Sequence, residues 1–206
     1  MGAEVSLRVS DEAFAYLVLQ RGSLDHLKHD RSAWESAYRQ AIDHSYQGMK
    51  PHLPRECRGI LDVGAGLGGI DILLARHYDH KPRVTLLDGE DDPPKMERHA
   101  LTFGNRQVAM RFQQDNGCLN VDYLSPVNLR VRKVDLVVST GAWCFHIPPD
   151  AYLSFVRQCC HPGATLITDV RNENPHWLKQ LAAVFTPVAV VAVKDKRTRW
   201  VLHART

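Results

Sequence analysis

Apolar residues along the chain recur first at helical spacing, then in short runs broken by glycines and polar turns. Ser10 or Asp11 caps a predicted helix with Phe14, Leu17 and Val18 on one side and Gly22 as its stop. Ser32 and Glu35 read as a capping box around Trp34, with Ala37, Tyr38, Ala41 and Ile42 following. Gly48 closes that run, and Pro51 and Pro54 break the pattern. From Arg58 strands alternate with helices. Gly59–Val63 is a strand; Ile70, Leu73, Leu74 and His77 form a helix; Arg83–Leu87 is a second strand. A long stretch containing Pro93 and Pro94 leads to a helix near Arg106–Asp115, stopped by Asn116-Gly117. Residues 120–124 make a weak third strand and Val134–Ser139 a strong fourth. Pro148 and Pro149 open a helix carrying Tyr152, Phe155, Val156 and Cys159 inward. Residues 164–170 form the fifth strand. After Asn174-Pro175 comes a helix with Trp177, Leu178, Leu181, Ala182 and Phe185 inward. Two strands, 188–193 and 199–203, joined by a short turn at 195–197, must pair antiparallel.

Apolar strands separated by helices imply a mostly parallel sheet covered on both faces, closed by an antiparallel hairpin. The expected division is a helical N-terminal extension over 1–55, acting as a lid or cap, and an α/β domain over 56–206.

Composition narrows the class. At 206 residues, 44% hydrophobic and 24% charged, the chain suits a globular fold without a disulfide staple. No apolar run approaches the roughly 20 residues that span a bilayer, and no basic-then-apolar leader opens the sequence. The five cysteines show no repeated CxxC spacing, so reduced thiols in a cytoplasmic protein are expected. The 11 histidines include no HxxxH or HExxH pair, so no metal site is expected. A net charge of +3 is too mild to announce a nucleic-acid binder.

The chemistry concentrates in ILDVGAGLGG. A glycine-rich turn between strand and helix lets backbone approach a ligand that a side chain would exclude, and free amides at the helix start meet negative charge. Gly64, Gly66 and Gly69 also satisfy GxGxxG, which admits a nicotinamide or flavin nucleotide. Asp62, inside the strand, would repel a pyrophosphate but suits a ligand with ammonium and sulfonium cations. Asp88 ends the second strand, one strand spacing away, where its carboxylate can face both ribose hydroxyls.

ILDVGAGLGG, VTLLD, VDLVVSTGAW and PGATLITDV, followed by a strand pair, resemble a class I S-adenosylmethionine-dependent methyltransferase from about Arg58 onward. That resemblance implies a Rossmann-like α/β fold with a seven-stranded sheet and an antiparallel C-terminal strand. It also implies S-adenosylmethionine as donor and S-adenosylhomocysteine as product. Carried over, Asp62, Gly64, Ala65, Gly66 and Gly68 hold the methionine portion, Asp88 with Gly89 the ribose. Ser139 and Thr140, opening STGAW, line the methionine and the acceptor. The sequence departs from the family after strand three, where it reads Leu124-Ser125-Pro126, so the adenine contact falls to Asp122 or Ser125. The DPPY and Pro-Cys signatures of DNA base methylation are absent.

Beyond the fourth strand, His146 is the candidate general base, with Trp143 and Phe145 walling the acceptor. The alternative makes the aromatics core and His146 a spectator. Asp169 and Arg171 either bind a polar acceptor or pair with each other. Tyr38, His44 and Tyr46 are lid candidates or ordinary packing. Lys194, Lys196, Arg197 and Arg199 flank the last turn, as a solvated edge or an RNA contact. The expected acceptor is a hydroxyl of a small polar molecule or sugar, partly on a likeness of the STGAWCFHIPP segment to sugar O-methyltransferases. An RNA-directed methyltransferase, an NAD(P)-dependent oxidoreductase and a non-catalytic nucleic-acid-binding domain are the competing readings.

Overall fold

A computed structural model of the chain describes residues 6–90 and 103–205; Pro93 and Pro94 lie outside them. The helices are α1 (Asp11–Gln20), α2 (Arg31–Met49), α3 (Gly69–His77), α4 (Arg106–Asp115), α5 (Leu153–Cys159) and α6 (Pro175–Ala182). The strands are β1 (Gly59–Val63), β2 (Arg83–Leu87), β3 (Val121–Leu124), β4 (Val134–Ser139), β5 (Cys160–Arg171), β6 (Phe185–Lys194) and β7 (Arg197–Ala204). They form one seven-stranded sheet in the order β3-β2-β1-β4-β5-β7-β6. β1 to β5 pair in parallel, and β7 runs antiparallel to both β5 and β6. This is the Rossmann-like architecture expected, with β7 inserted between its predecessors.

Alternation along β1 sends Ile60 and Asp62 to one face, Leu61 and Val63 to the other. Ile60 joins Val84, Leu86, Leu136 and Val138 in a core covered by α1 to α4, whereas Leu61 and Val63 join a second core with α5 and α6. The N-terminal helices therefore share the main core. Trp34 of α2 is fully buried, edge-on to Phe14 and stacked on Tyr38, with both centroids at 5.1 Å. Ser45 of α2 accepts a 2.6 Å bond from Arg199 of β7, fastening the helix to the antiparallel part of the sheet.

Several expected boundaries move, each for a local reason. The cap of α2 is Asp30, whose Oδ1 accepts from the Ala33 amide at 3.0 Å. Glu35 is drawn instead into ion pairs with Arg31 and Arg39. Gly48 does not end α2; a side chain there would press on Val191 of β6, so the glycine is a packing notch. Pro149 opens a single tight turn, and α5 itself starts at Leu153. Phe185 opens β6, fully buried, rather than closing α6. Within the hairpin the more apolar strand takes the edge: Val188, Val190 and Val193 of β6 are exposed, while β7 buries Val201 and Leu202. The five cysteines are free and buried. Among the described residues, no helix is long and apolar enough to cross a membrane.

Because α1 and α2 complete the main core, they melt with the sheet. Trp34→Ala removes a fully buried indole at a cost of about 3–5 kcal/mol, lowering Tm by roughly 10 °C. Scanning calorimetry checks this; a low-temperature shoulder with the main transition unmoved would instead mark the helices as a separate unit.

Candidate functional site

The site is built at the carboxyl ends of β1, β2 and β4. Gly64, Gly66 and Gly68 have φ of 76°, 59° and 73°, the left-handed region that glycine enters without a Cβ clash. A Cβ on Gly64 would also collide with the Ala142 methyl in the loop after β4. The loop is pinned to β2 by the Gly64 amide, which donates to the Leu87 carbonyl at 2.7 Å. One carboxylate oxygen of Asp88 accepts from the Gly66 amide, the other from the Gly89 amide at 2.7 Å. Asp88 is thus fixed at the lip of the loop. A carboxylate oxygen has two acceptor positions, so a ligand hydroxyl can share it with a backbone amide.

Beneath the loop lies a pair of buried acids. Asp62 lies next to the end of β1 on the α3 side, and Asp71 sits in the first turn of α3; they are 2% and 0% exposed. No donor is in hydrogen-bonding position at Asp62 Oδ1 or at either oxygen of Asp71. Burial drives both carboxyls up, Asp62 to about 7, with Asp88's charge adding to the rise while Asp71 and Arg21 oppose it. Asp71 rises well above the carboxylate range through burial and then the charge of Asp62. The two share one proton, held on Asp71, and Asp62 is the member that ionises towards the cavity.

Above these acids opens a cavity of about 440 Å³, within the usual range for small-molecule sites. Asp62, Gly64, Ala65, Gly66, Asp88, Thr140 and His146 all line it. Gly89 lines an adjoining cavity together with Phe103, Ser125 and Tyr152. Gly68 and Ser139 do not reach the wall. Gly68 caps α3 beneath Gln113, whose Nε2 donates to the Leu67 and Gly68 carbonyls at 2.8 and 2.7 Å. Ser139 is fully buried; its hydroxyl donates to the Val63 carbonyl at 2.7 Å and accepts from the Trp143 amide at 3.0 Å. Its work is to hold the end of β4 against β1.

Other expectations resolve similarly. Trp143 is core, its indole N–H bonded to the Pro149 carbonyl at 3.0 Å, so only Phe145 of the two aromatics faces the cavity. Asp122 pairs with Arg83 and Arg132 and lies outside both cavities, leaving Ser125. Tyr38 packs under Gly69, Tyr46 bonds His77 at 2.8 Å, and neither these nor His44 lines the cavity. The N-terminal contribution comes from Gln20 and Arg21, at and just beyond the end of α1. Gln20 Oε1 lies over Gly66, and Arg21 sits 5.6 Å from the Tyr38 ring centroid. Asp169 does not pair with Arg171; it holds Arg199 at 2.7 Å and Arg197 at 3.2 Å. Gln20, Arg21, Phe103 and Arg197 carried no motif, and only the three-dimensional contacts bring them to the site. His146 is pushed below the ordinary imidazole range by partial burial, then by the charges of Arg171 and Arg197. It is neutral at neutral pH, as a proton acceptor must be.

Neither known sequence families nor curated proteins give a match to this chain. Solved structures do. A region called StiE O-MT, residues 961–1257, aligns with TM-score 0.63 at 10% identity, covering 90% of this chain and 81% of that one. A methyltransferase from Geobacter sulfurreducens aligns with TM-score 0.55 at 19% identity, covering 81% and 80%. A mutant of MtNAS, solved in complex with S-adenosylmethionine, gives 0.58 at 14%, covering 93% and 75%. The chain has the class I S-adenosylmethionine-dependent methyltransferase fold, shared with these structures at low identity.

The acid pair has a pH signature. A carboxyl raised in the folded state binds its proton more tightly there, so stability falls as pH rises from about 4 to about 7. His146, lowered on folding, acts with the opposite sign. Asp71→Asn keeps a donor towards Asp62 while removing the second acid. The variant is expected to lose part of the wild-type fall in Tm between pH 5 and 8, at roughly 2–4 °C per kcal/mol. Parallel Tm–pH profiles for the two proteins would refute the shared proton.

Proposed function

We propose that the protein transfers a methyl group from S-adenosylmethionine to a hydroxyl of a small polar molecule or sugar. The observation that carries this reading is Asp62, a buried carboxylate in the cavity lining that among the described residues accepts from no amide and no cation. A buried acceptor left unpaired is costly, and the ammonium of an amino-acid tail supplies both the missing donor and the missing charge. The glycine loop fits the same ligand: its left-handed backbone leaves a cradle that side chains would fill.

Asp62 would take the ammonium, Gly64 to Gly66 the chain of the tail, Arg21 its carboxylate, and Asp88 the ribose hydroxyls. The adjoining cavity of Phe103, Ser125 and Tyr152 would receive the adenine. Bound there, S-adenosylmethionine would supply an electrophilic methyl on sulfonium, with S-adenosylhomocysteine as the leaving product. Thr140 and His146 face the acceptor side of the cavity. Neutral His146 accepts the proton that the acceptor hydroxyl gives up, while the fixed loop after β4 supplies alignment.

A pyrophosphate would meet the carboxylates of both Asp62 and Asp88 in this cavity, which disfavours a nicotinamide dinucleotide. An RNA-binding face at the hairpin is also disfavoured, because Arg199 is buried on Asp169 and Arg197 turns into the cavity.

Calorimetric titration with S-adenosylhomocysteine tests the donor assignment. Micromolar binding, roughly −8 kcal/mol, is expected for the wild type, with most of it lost in Asp88→Ala. Tight binding of NADH with none of the homocysteine compound would reverse the assignment.

A further inference from the structure

We propose that the acceptor is an anionic small molecule, held through a carboxylate or phosphate monoester by Arg171 and Arg197 around the Phe145 ring. The inference rests on the methyl-transfer reading and names the substrate class of that site.

The antiparallel register of β5 and β7 sets Asp169 opposite Arg199 and Arg171 opposite Arg197. Positions two apart on a strand share a face, so three guanidiniums are gathered there with one carboxylate. Asp169, 1% exposed, is spent on Arg199, which it grips at 2.7 and 3.0 Å, and on Arg197 at 3.2 Å. Among the described residues Arg171 has no acidic partner, and its Nε is buried without a hydrogen bond.

Two of these guanidiniums, the unpaired Arg171 and the Asp169-bound Arg197, approach one aromatic ring. Arg171 lies 5.0 Å and Arg197 5.4 Å from the Phe145 centroid. Cation–π attraction offsets part of their mutual repulsion, but the positive charge stays uncompensated. The ring is held firmly: the amides of Phe145, His146 and Ile147 all converge on the Ala142 carbonyl, at 3.1, 2.7 and 3.2 Å. The Arg171 amide donates to the Cys144 carbonyl at 3.0 Å, tying the end of β5 to that loop.

Phe145, His146 and Arg197 line the same cavity as Asp62 and Asp88. One cavity thus has an acidic end and a basic end. The cationic donor belongs at the first; at the second Arg197 lines the wall while Arg171 packs on the Phe145 ring outside that lining, and such guanidinium forks bind a carboxylate or phosphate through paired hydrogen bonds. The donor's own carboxylate has Arg21 beside Asp62.

The test titrates wild type, Arg171→Gln and Arg171→Lys, each with and without S-adenosylhomocysteine. The probes are two matched pairs: glucose 6-phosphate against glucose, and 4-hydroxybenzoate against 4-hydroxybenzamide. The charged member of at least one pair is expected to bind about tenfold tighter or more, and which pair does so separates phosphate from carboxylate. Arg171→Gln abolishes that preference, Arg171→Lys keeps part of it, and affinity for the homocysteine compound stays level. Arg197→Gln serves if Arg171→Gln fails to fold. Equal or absent binding of both pair members overturns the proposal, as does a preference that survives Arg171→Gln. A loss of homocysteine-compound affinity in step with the preference also overturns it, by moving these arginines to the donor. A preference lost in Arg171→Gln, with no homocysteine-compound binding in the wild type, keeps the anion site and defeats the methyl-transfer reading alone.

Discussion

The structure turns on a carboxylate that must be buried and still bear charge. Asp62 sits inside the core-facing row of β1, where an ionised group is expensive, yet its neighbour on α3 is another acid. The pair is tolerable because one proton serves both, and because Asp62 opens onto a cavity where a ligand cation can complete it. The surrounding design follows from keeping that opening small. Glycines bring the loop close over the acid, Ala142 comes up against Gly64, and Gln20 and Arg21 close the side that the sheet leaves open.

The N-terminal helices belong to this arrangement rather than to a detachable cover. Their aromatic residues fill the same core as β1 and β2, and Tyr38 packs directly beneath Gly69. Further along the same face of the sheet, Ser45 reaches Arg199 and through it Asp169, so α2 also braces the strand pair that carries the basic end of the cavity. A single helix therefore touches the supports of both the acidic and the basic poles.

Much of this was legible in the chain. β1, β2, β4 and α4 fall on the residues their apolar runs and stop signals indicate, because local pattern and burial agree there. Asp62, the loop glycines and Asp88 were readable because backbone conformation and charge fix them one strand apart. What escaped depended on distant partners. Gly48 looks like a helix stop until β6 is packed on it, and Ser139 looks like a site residue until its hydroxyl is seen spent on Val63. Arg197 resembles an edge charge, and only the insertion of β7 between β5 and β6 carries it into the cavity. Arg21 follows a helix end with no motif at all, and approaches Asp62 only through the tertiary fold.

The central claim is that a ligand ammonium completes Asp62, which makes binding and protonation inseparable. Calorimetry of S-adenosylhomocysteine binding at pH 6, in two buffers of different ionisation enthalpy, reads the protons exchanged. A substantial fraction of a proton is expected to be released on binding, fading above pH 8 where Asp62 is already ionised. Binding with no proton release at pH 6 would contradict it.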